Sequence, residues 1–196
     1  MASAVRIRLG GPISQRVGVI CLVLTVVSVG LVGLPERSRA GGGCRFAHGV
    51  YDQISNQEAE HALVCLLNKE RHEAGSPRLD QNKQLTAAAG KHSRTMKRVR
   101  CFAHTCRGEP GLESRLRHAG YLPCNCFYGI GEALAYGVGA NSAPAVIMRS
   151  WMRSPKHRVI LLGGGYDDVG FGVVRGIPSD ADAEGRIFTA DVGYRR

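Results

Sequence analysis

The side chains of this 196-residue chain best suited to chemistry are its seven cysteines and seven histidines. Cys101 and Cys106 are spaced Cys-x4-Cys, and Cys124 and Cys126 are spaced Cys-x-Cys. Neither is the paired Cys-x2-Cys knuckle of a structural zinc site, so disulfides are the better reading if the chain is exported. A direct Cys124–Cys126 bridge would be strained, and each of the two is expected to reach elsewhere. A Cys44–Cys65 bridge would tie an N-terminal arm to the first helix; the remaining pairings stay open. His48, His61, His72 and His118 have no partners at metal spacing, except that Glu58 lies one turn from His61, and all four read as surface residues. Ser93 with His104 as base would make a nucleophile, but no Gly-x-Ser-x-Gly elbow surrounds it.

Export is signalled by an uncharged apolar run over residues 17–34, preceded by Arg6, Arg8 and Arg16 and followed by Pro35 and Ser38-Arg39-Ala40. Residues 1–40 therefore read as a signal peptide, with an uncleaved membrane anchor as the alternative and the one expected route to a membrane. Neither Cys21 nor Cys44 has the context of a lipid-attachment cysteine. Cleavage after Ala40 removes Cys21 and leaves six candidates for disulfides: Cys44, Cys65, Cys101, Cys106, Cys124 and Cys126. It also leaves 21 basic and 15 acidic residues, lowering the net charge from +10 to +6. At 44% hydrophobic residues the chain is too apolar for a disordered polymer, and one apolar run excludes a polytopic membrane protein.

The elements that must position these groups follow from periodicity. Residues 41–55 read as an arm and 56–196 as one domain. Ser55-Asn56-Gln57-Glu58 has the form of a capping box, opening a helix with Ala59, Ala62, Leu63, Leu66 and Leu67 on one face and ending at Gly75. A second helix over 82–99 carries Leu85, Ala88, Ala89, His92, Met96 and Val99 on its buried stripe, which makes His92 a core residue before it is a ligand. Its other face carries Lys91, Arg94, Lys97, Arg98 and Arg100, either a solvated face or a surface for an anionic polymer. Pro110-Gly111 opens a short helical stretch that stops at Gly120, and Pro123 with the cysteine pair marks a loop. Ser142 is expected to cap a helix with Pro144 in its first turn and Val146, Ile147 and Trp151 facing inward. Residues 169–174 and 186–192 read as strands. Helices first and antiparallel strands last indicate an α+β domain with helices packed on an antiparallel sheet.

Five stretches, in order, resemble the CAP superfamily of cysteine-rich secretory, antigen five and pathogenesis-related proteins, in its bacterial secreted form. They are Leu66-Leu67-Asn68-Lys69-Glu70-Arg71, Ala87-Ala88-Ala89 leading to His92-Ser93 and Met96, Phe102-Ala103-His104-Thr105, Gly131-Glu132-Ala133-Leu134-Ala135, and residues 151–158 with their Ser154-Pro155-Lys156-His157-Arg158. Ala119-Gly120-Tyr121 and the late Val169-Gly170-Phe171-Gly172-Val173 agree with it, so the likeness spans residues 57–192. The resemblance implies an α-β-α sandwich, with a central antiparallel sheet between helical layers and a shallow cleft whose histidines and acids can hold zinc or another divalent cation. By motif match those residues are His104, Glu132 and His157, with His92 and Ser93 close by. Two positions depart from the family pattern: Ala133 replaces an asparagine, and Lys156 a glycine. A second acid and a later histidine known from plant and animal relatives are not found by motif.

Two imidazoles and one carboxylate match the ligand set of a catalytic-type zinc site, while the structural alternative is a buried Glu132 that simply holds loops together through His104 or His157. Tyr128 and Tyr136, which flank Gly131-Glu132, are candidates for lining an apolar ligand groove. The leading expectation is a secreted protein binding a small lipid, a divalent metal or an anionic cell-wall polymer. A zinc-dependent hydrolase of peptide or cell-wall bonds is the alternative, and nucleic acid is not expected because no aromatic residues interleave the basic stretch.

Overall fold

A computed structural model describes residues 43–122 and 127–196. The expected leader, its cleavage point, and Cys124 and Cys126 lie outside the described residues.

Helix α1 (Asn56–Glu73) begins at a reciprocal capping box: Ser55 accepts from the Glu58 amide, and the Glu58 carboxylate accepts from the Ser55 amide. Its buried face carries Ala59, Ala62, Leu63 and Leu67. The two-residue β1 (Asp80–Gln81) leads into α2 (Lys83–Val99), capped by the Asn82 side chain accepting from the Gln84 and Leu85 amides. Then follow α3 (Leu112–His118), β2 (Tyr128–Val138), a 3-10 turn (Gly139–Ser142), α4 (Pro144–Arg153), α5 (Pro155–Leu162), β3 (Asp168–Arg175) and β4 (Gly185–Arg195).

The strands order as β1-β3-β4-β2, with β4 antiparallel to both long neighbours and β1 parallel to β3. The sheet is therefore antiparallel in its three long strands and mixed only through the short β1. Alternation along the strands divides its faces. Phe171, Val173, Phe188, Ala190 and Val192 pack with Leu63, Leu67, Ile147 and Trp151 from α1 and α4, making the main core. Trp151 stacks on Phe171 at 6.0 Å and donates its indole N–H to the Leu134 carbonyl at 3.1 Å. The opposite face meets α2, where Gly170 and Gly172 admit the helix backbone. A Cβ at Gly170 would stand 2.1 Å from the Thr86 nitrogen, and one at Gly172 2.1 Å from the Gly90 nitrogen.

The Cys44–Cys65 disulfide, with Cα atoms 5.6 Å apart, pins the arm to α1. The arm is held further by the Ala145 amide donating to the Ala47 carbonyl, and by buried Arg186 donating to the carbonyls of Tyr51 and Ile54.

Two local expectations are corrected. Ser142 does not cap α4: its hydroxyl donates to the Gly139 carbonyl at 2.6 Å and accepts from the Tyr51 amide, leaving Ala143 at the cap position with Pro144 following. The strands do not all follow the helices: the segment holding Gly131-Glu132 is an eleven-residue strand that precedes α4 and α5 and pairs with β4 along its whole length. Helix α4 ends at its C-cap Ser154, and α5 is a separate helix with Pro155 in its first turn. Among the described residues no helix is long and apolar enough to cross a membrane.

Candidate functional site

Glu132 is set on β2 directly opposite Asp191 of β4, so both carboxyl groups point to the α2 side of the sheet, where both are buried. Three elements converge on Glu132. From the loop after α2, His104 places Nδ1 2.8 Å from Glu132 Oε1. From α3, the Arg115 guanidinium donates to Glu132 Oε2 and, through its other terminal nitrogen, to the His104 carbonyl at 2.8 Å. From α2, His92 Nε2 approaches Oε2 at 3.8 Å, while its Nδ1 stands 2.7 Å from the Glu109 carboxylate.

The loop carrying His104 is closed by a Cys101–Cys106 disulfide. Inside that bracket Phe102 packs edge-on against Tyr136, ring centroids 5.0 Å apart, and His104 keeps 63% of its side chain exposed. With Glu132 as acceptor, a neutral His104 ring carries its proton on Nδ1 and keeps the Nε2 lone pair. An exposed, oriented imidazole of this kind can accept a proton, accept a hydrogen bond or ligate a metal. His157 of α5 is half-buried, and burial, followed by the charge of His104, lowers its pKa below the ordinary histidine value. Burial and the neighbouring Glu132 charge hold Asp191 well above the usual carboxylate range.

The structure therefore brings His104 and Glu132 together and sets His157 within electrostatic reach. His92 is fully buried and bonded to Glu109, in agreement with its place on the apolar stripe. Ser93 is also buried, donating to the Gly172 carbonyl and bonded to Thr189, so it is a structural hydroxyl that ties α2 to the sheet. Tyr128 and Tyr136 share a face of β2 but lie eight residues apart, about 26 Å along a strand. They do not line one groove: Tyr128 lies under the Arg117 guanidinium and Tyr136 under Phe102. His48, His61, His72 and His118 are at the surface, and Lys156 is exposed.

Sequence reasoning passed over Arg115, Glu109 and Asp191. Asp191 had a signal, an acid in phase with Ile187 and Thr189 on a strand otherwise buried. Arg115 had a weaker one, a base beside the apolar Leu112 and Leu116 of a short helix.

The family model described as the cysteine-rich secretory protein family, CAP, matches residues 64–189, and the chain belongs to that family. Among solved structures it is similar to an outer surface protein from Borrelia burgdorferi, at 20% identity over 73% of this chain and 97% of that one, with a TM-score of 0.59. It is also similar to an extracellular protein containing a SCP domain from Bacillus anthracis, at 24% identity over 71% of this chain and 41% of that one, with a TM-score of 0.59. These likenesses show the α+β sandwich fold. No curated protein matches the chain.

The divalent cation implied by the family can be tested against the donor set. Glu132 already carries Arg115 on one oxygen and His104 on the other, so a metal on its carboxylate would face a guanidinium at hydrogen-bond range. Among the described residues no three His, Cys, Asp or Glu side chains form a group that could hold a metal ion. The arrangement does not fit a three-ligand centre; Glu132 instead orients His104 from behind.

Proposed function

We propose that the chain is an exported binding protein that presents His104 and His157 to an extracellular ligand: a small lipid, a divalent cation or a cell-wall polymer. The observation that carries this reading is the exposed His104 ring, oriented by the buried Glu132 carboxylate at 2.8 Å. A buried carboxylate is costly unless its oxygens are engaged, and here Arg115 takes one Glu132 oxygen and His104 the other. Membership of the secretory family supports the extracellular setting.

Native mass spectrometry of the full chain, recovered from its own secretory route, tests the reading. A bound lipid, metal or saccharide is expected in the wild type and is lost in His104→Ala. A protein that arrives empty and takes up none of these would refute it.

The His104–Glu132 dyad favours one second reading, a hydrolase of peptide or cell-wall bonds in which His104 Nε2 acts as general base. Turnover on such substrates that vanishes in His104→Ala would support it; turnover unchanged in both His104→Ala and His157→Ala would eliminate it.

A further inference from the structure

On the outer side of α2, away from the strands it packs on, lies a groove of about 290 Å³ between α2, α3 and the Gly108–Pro110 turn. Its cationic lining comes from Lys91 and Arg98 of α2, with the Thr95 hydroxyl between them and the His118 ring of α3 alongside. Ala87, Ala88 and Ala119 supply its apolar part. Two further charged residues reach it, and both are already engaged: Glu109 by the buried His92, Arg115 by Glu132. Lys91 and Arg98 are exposed and form no ion pair among the described residues. They stand seven residues apart, two turns of one helix face, about 10.5 Å along the axis. Helix α2 as a whole has five basic residues and no acidic one.

We infer that this groove is a binding site for an acidic polysaccharide, taking one anionic sugar unit between Lys91 and Arg98. The charge selects an anion. The alanine-lined surface suits the apolar face of a sugar ring, and the Thr95 hydroxyl suits its hydroxyl groups. A 290 Å³ groove holds a monosaccharide-sized unit and leaves the rest of the polymer to the outer bases of α2. The inference rests on the extracellular binding reading above, but it moves the polymer from His104 to a separate surface.

Calorimetric titration of the full chain at low salt, with oligogalacturonate against a neutral glucose oligomer of equal length, tests it. The acidic oligomer is expected to bind and the neutral one not, with affinity falling as salt is raised. The double variant Lys91→Gln/Arg98→Gln is expected to weaken binding about tenfold. Ala87→Phe, which fills the groove at an exposed position without changing charge, is expected to weaken it comparably. The charge-matched double variant Arg149→Gln/Arg153→Gln on exposed positions of α4 is expected to stay within about twofold of wild type. Equal losses in the two double variants would reduce the effect to net charge and overturn the site. Loss confined to His104→Ala would overturn it while leaving the function proposed above intact. Tighter binding to anionic phospholipid vesicles than to the oligomer, or no binding by the wild type, would also overturn it.

Discussion

Arg115 and Glu132 form a buried ion pair that joins α3 to β2, and the same guanidinium reaches the backbone carbonyl of His104. One side chain thus neutralises the carboxylate that orients His104 and fixes the loop on which His104 rides. Arg115→Met is expected to lower stability by about 3–5 kcal/mol, because it strands Glu132 as a buried charge. Arg115→Lys is expected to recover only part, since an ammonium cannot span both acceptors with fixed geometry. Urea unfolding of the two variants checks both.

The two disulfides are expected to do different work. Cys44–Cys65 closes the longer loop, 21 residues against 5, and its removal by paired serine substitutions should cost about 3 kcal/mol against roughly 2 kcal/mol for Cys101–Cys106. Hydrogen exchange should nevertheless single out the second pair, with protection around residues 101–106 falling only in Cys101→Ser/Cys106→Ser.

Gly170→Ala and Gly172→Ala each place a methyl 2.1 Å from a backbone nitrogen of α2. Backbone cannot step aside as a side chain can, so each is expected to cost about 3 kcal/mol, the upper end for an overpacked core, or to prevent folding. Soluble yield and the urea midpoint report the result.

The capping box sets an acid-side dependence. Hydrogen bonds from the Ser55 amide and hydroxyl lower the Glu58 pKa below its ordinary value of 4.5, so its stabilisation is complete above that value and disappears as pH falls through the folded-state value. Wild type is expected to melt higher than Glu58→Gln at pH 6, and the gap to close at pH 3. A gap that persists at pH 3 would show that the charge is not what Glu58 contributes.

Where one face of an element is apolar and its ends carry caps, the sequence is easily read: α1 and α2 begin at Ser55 and Asn82 as their side chains require. β2 escapes such reading because residues 131–134 are buried in succession on both faces and Gly129, Gly131 and Gly137 interrupt the alternation. Ser142 misleads for a related reason, since a serine before proline fits a helix cap and a turn equally well until the distant Tyr51 amide claims its hydroxyl. At the site, motif spacing identifies His104 and Glu132, but not the groups that complete their bonding. Arg115, Glu109 and Asp191 arrive from three separate elements, and only sheet register and helix packing bring them to one point.

The two glycines under α2 have one more effect. Helix and strand meet backbone to backbone there, so the distance of α2 from the sheet is set on its inner side. Residues on its outward side, Lys91 and Arg98 among them, carry none of that burden. They can be exchanged for other polar side chains with little loss of stability, so the binding preference of this face and the architecture beneath it are set by different residues.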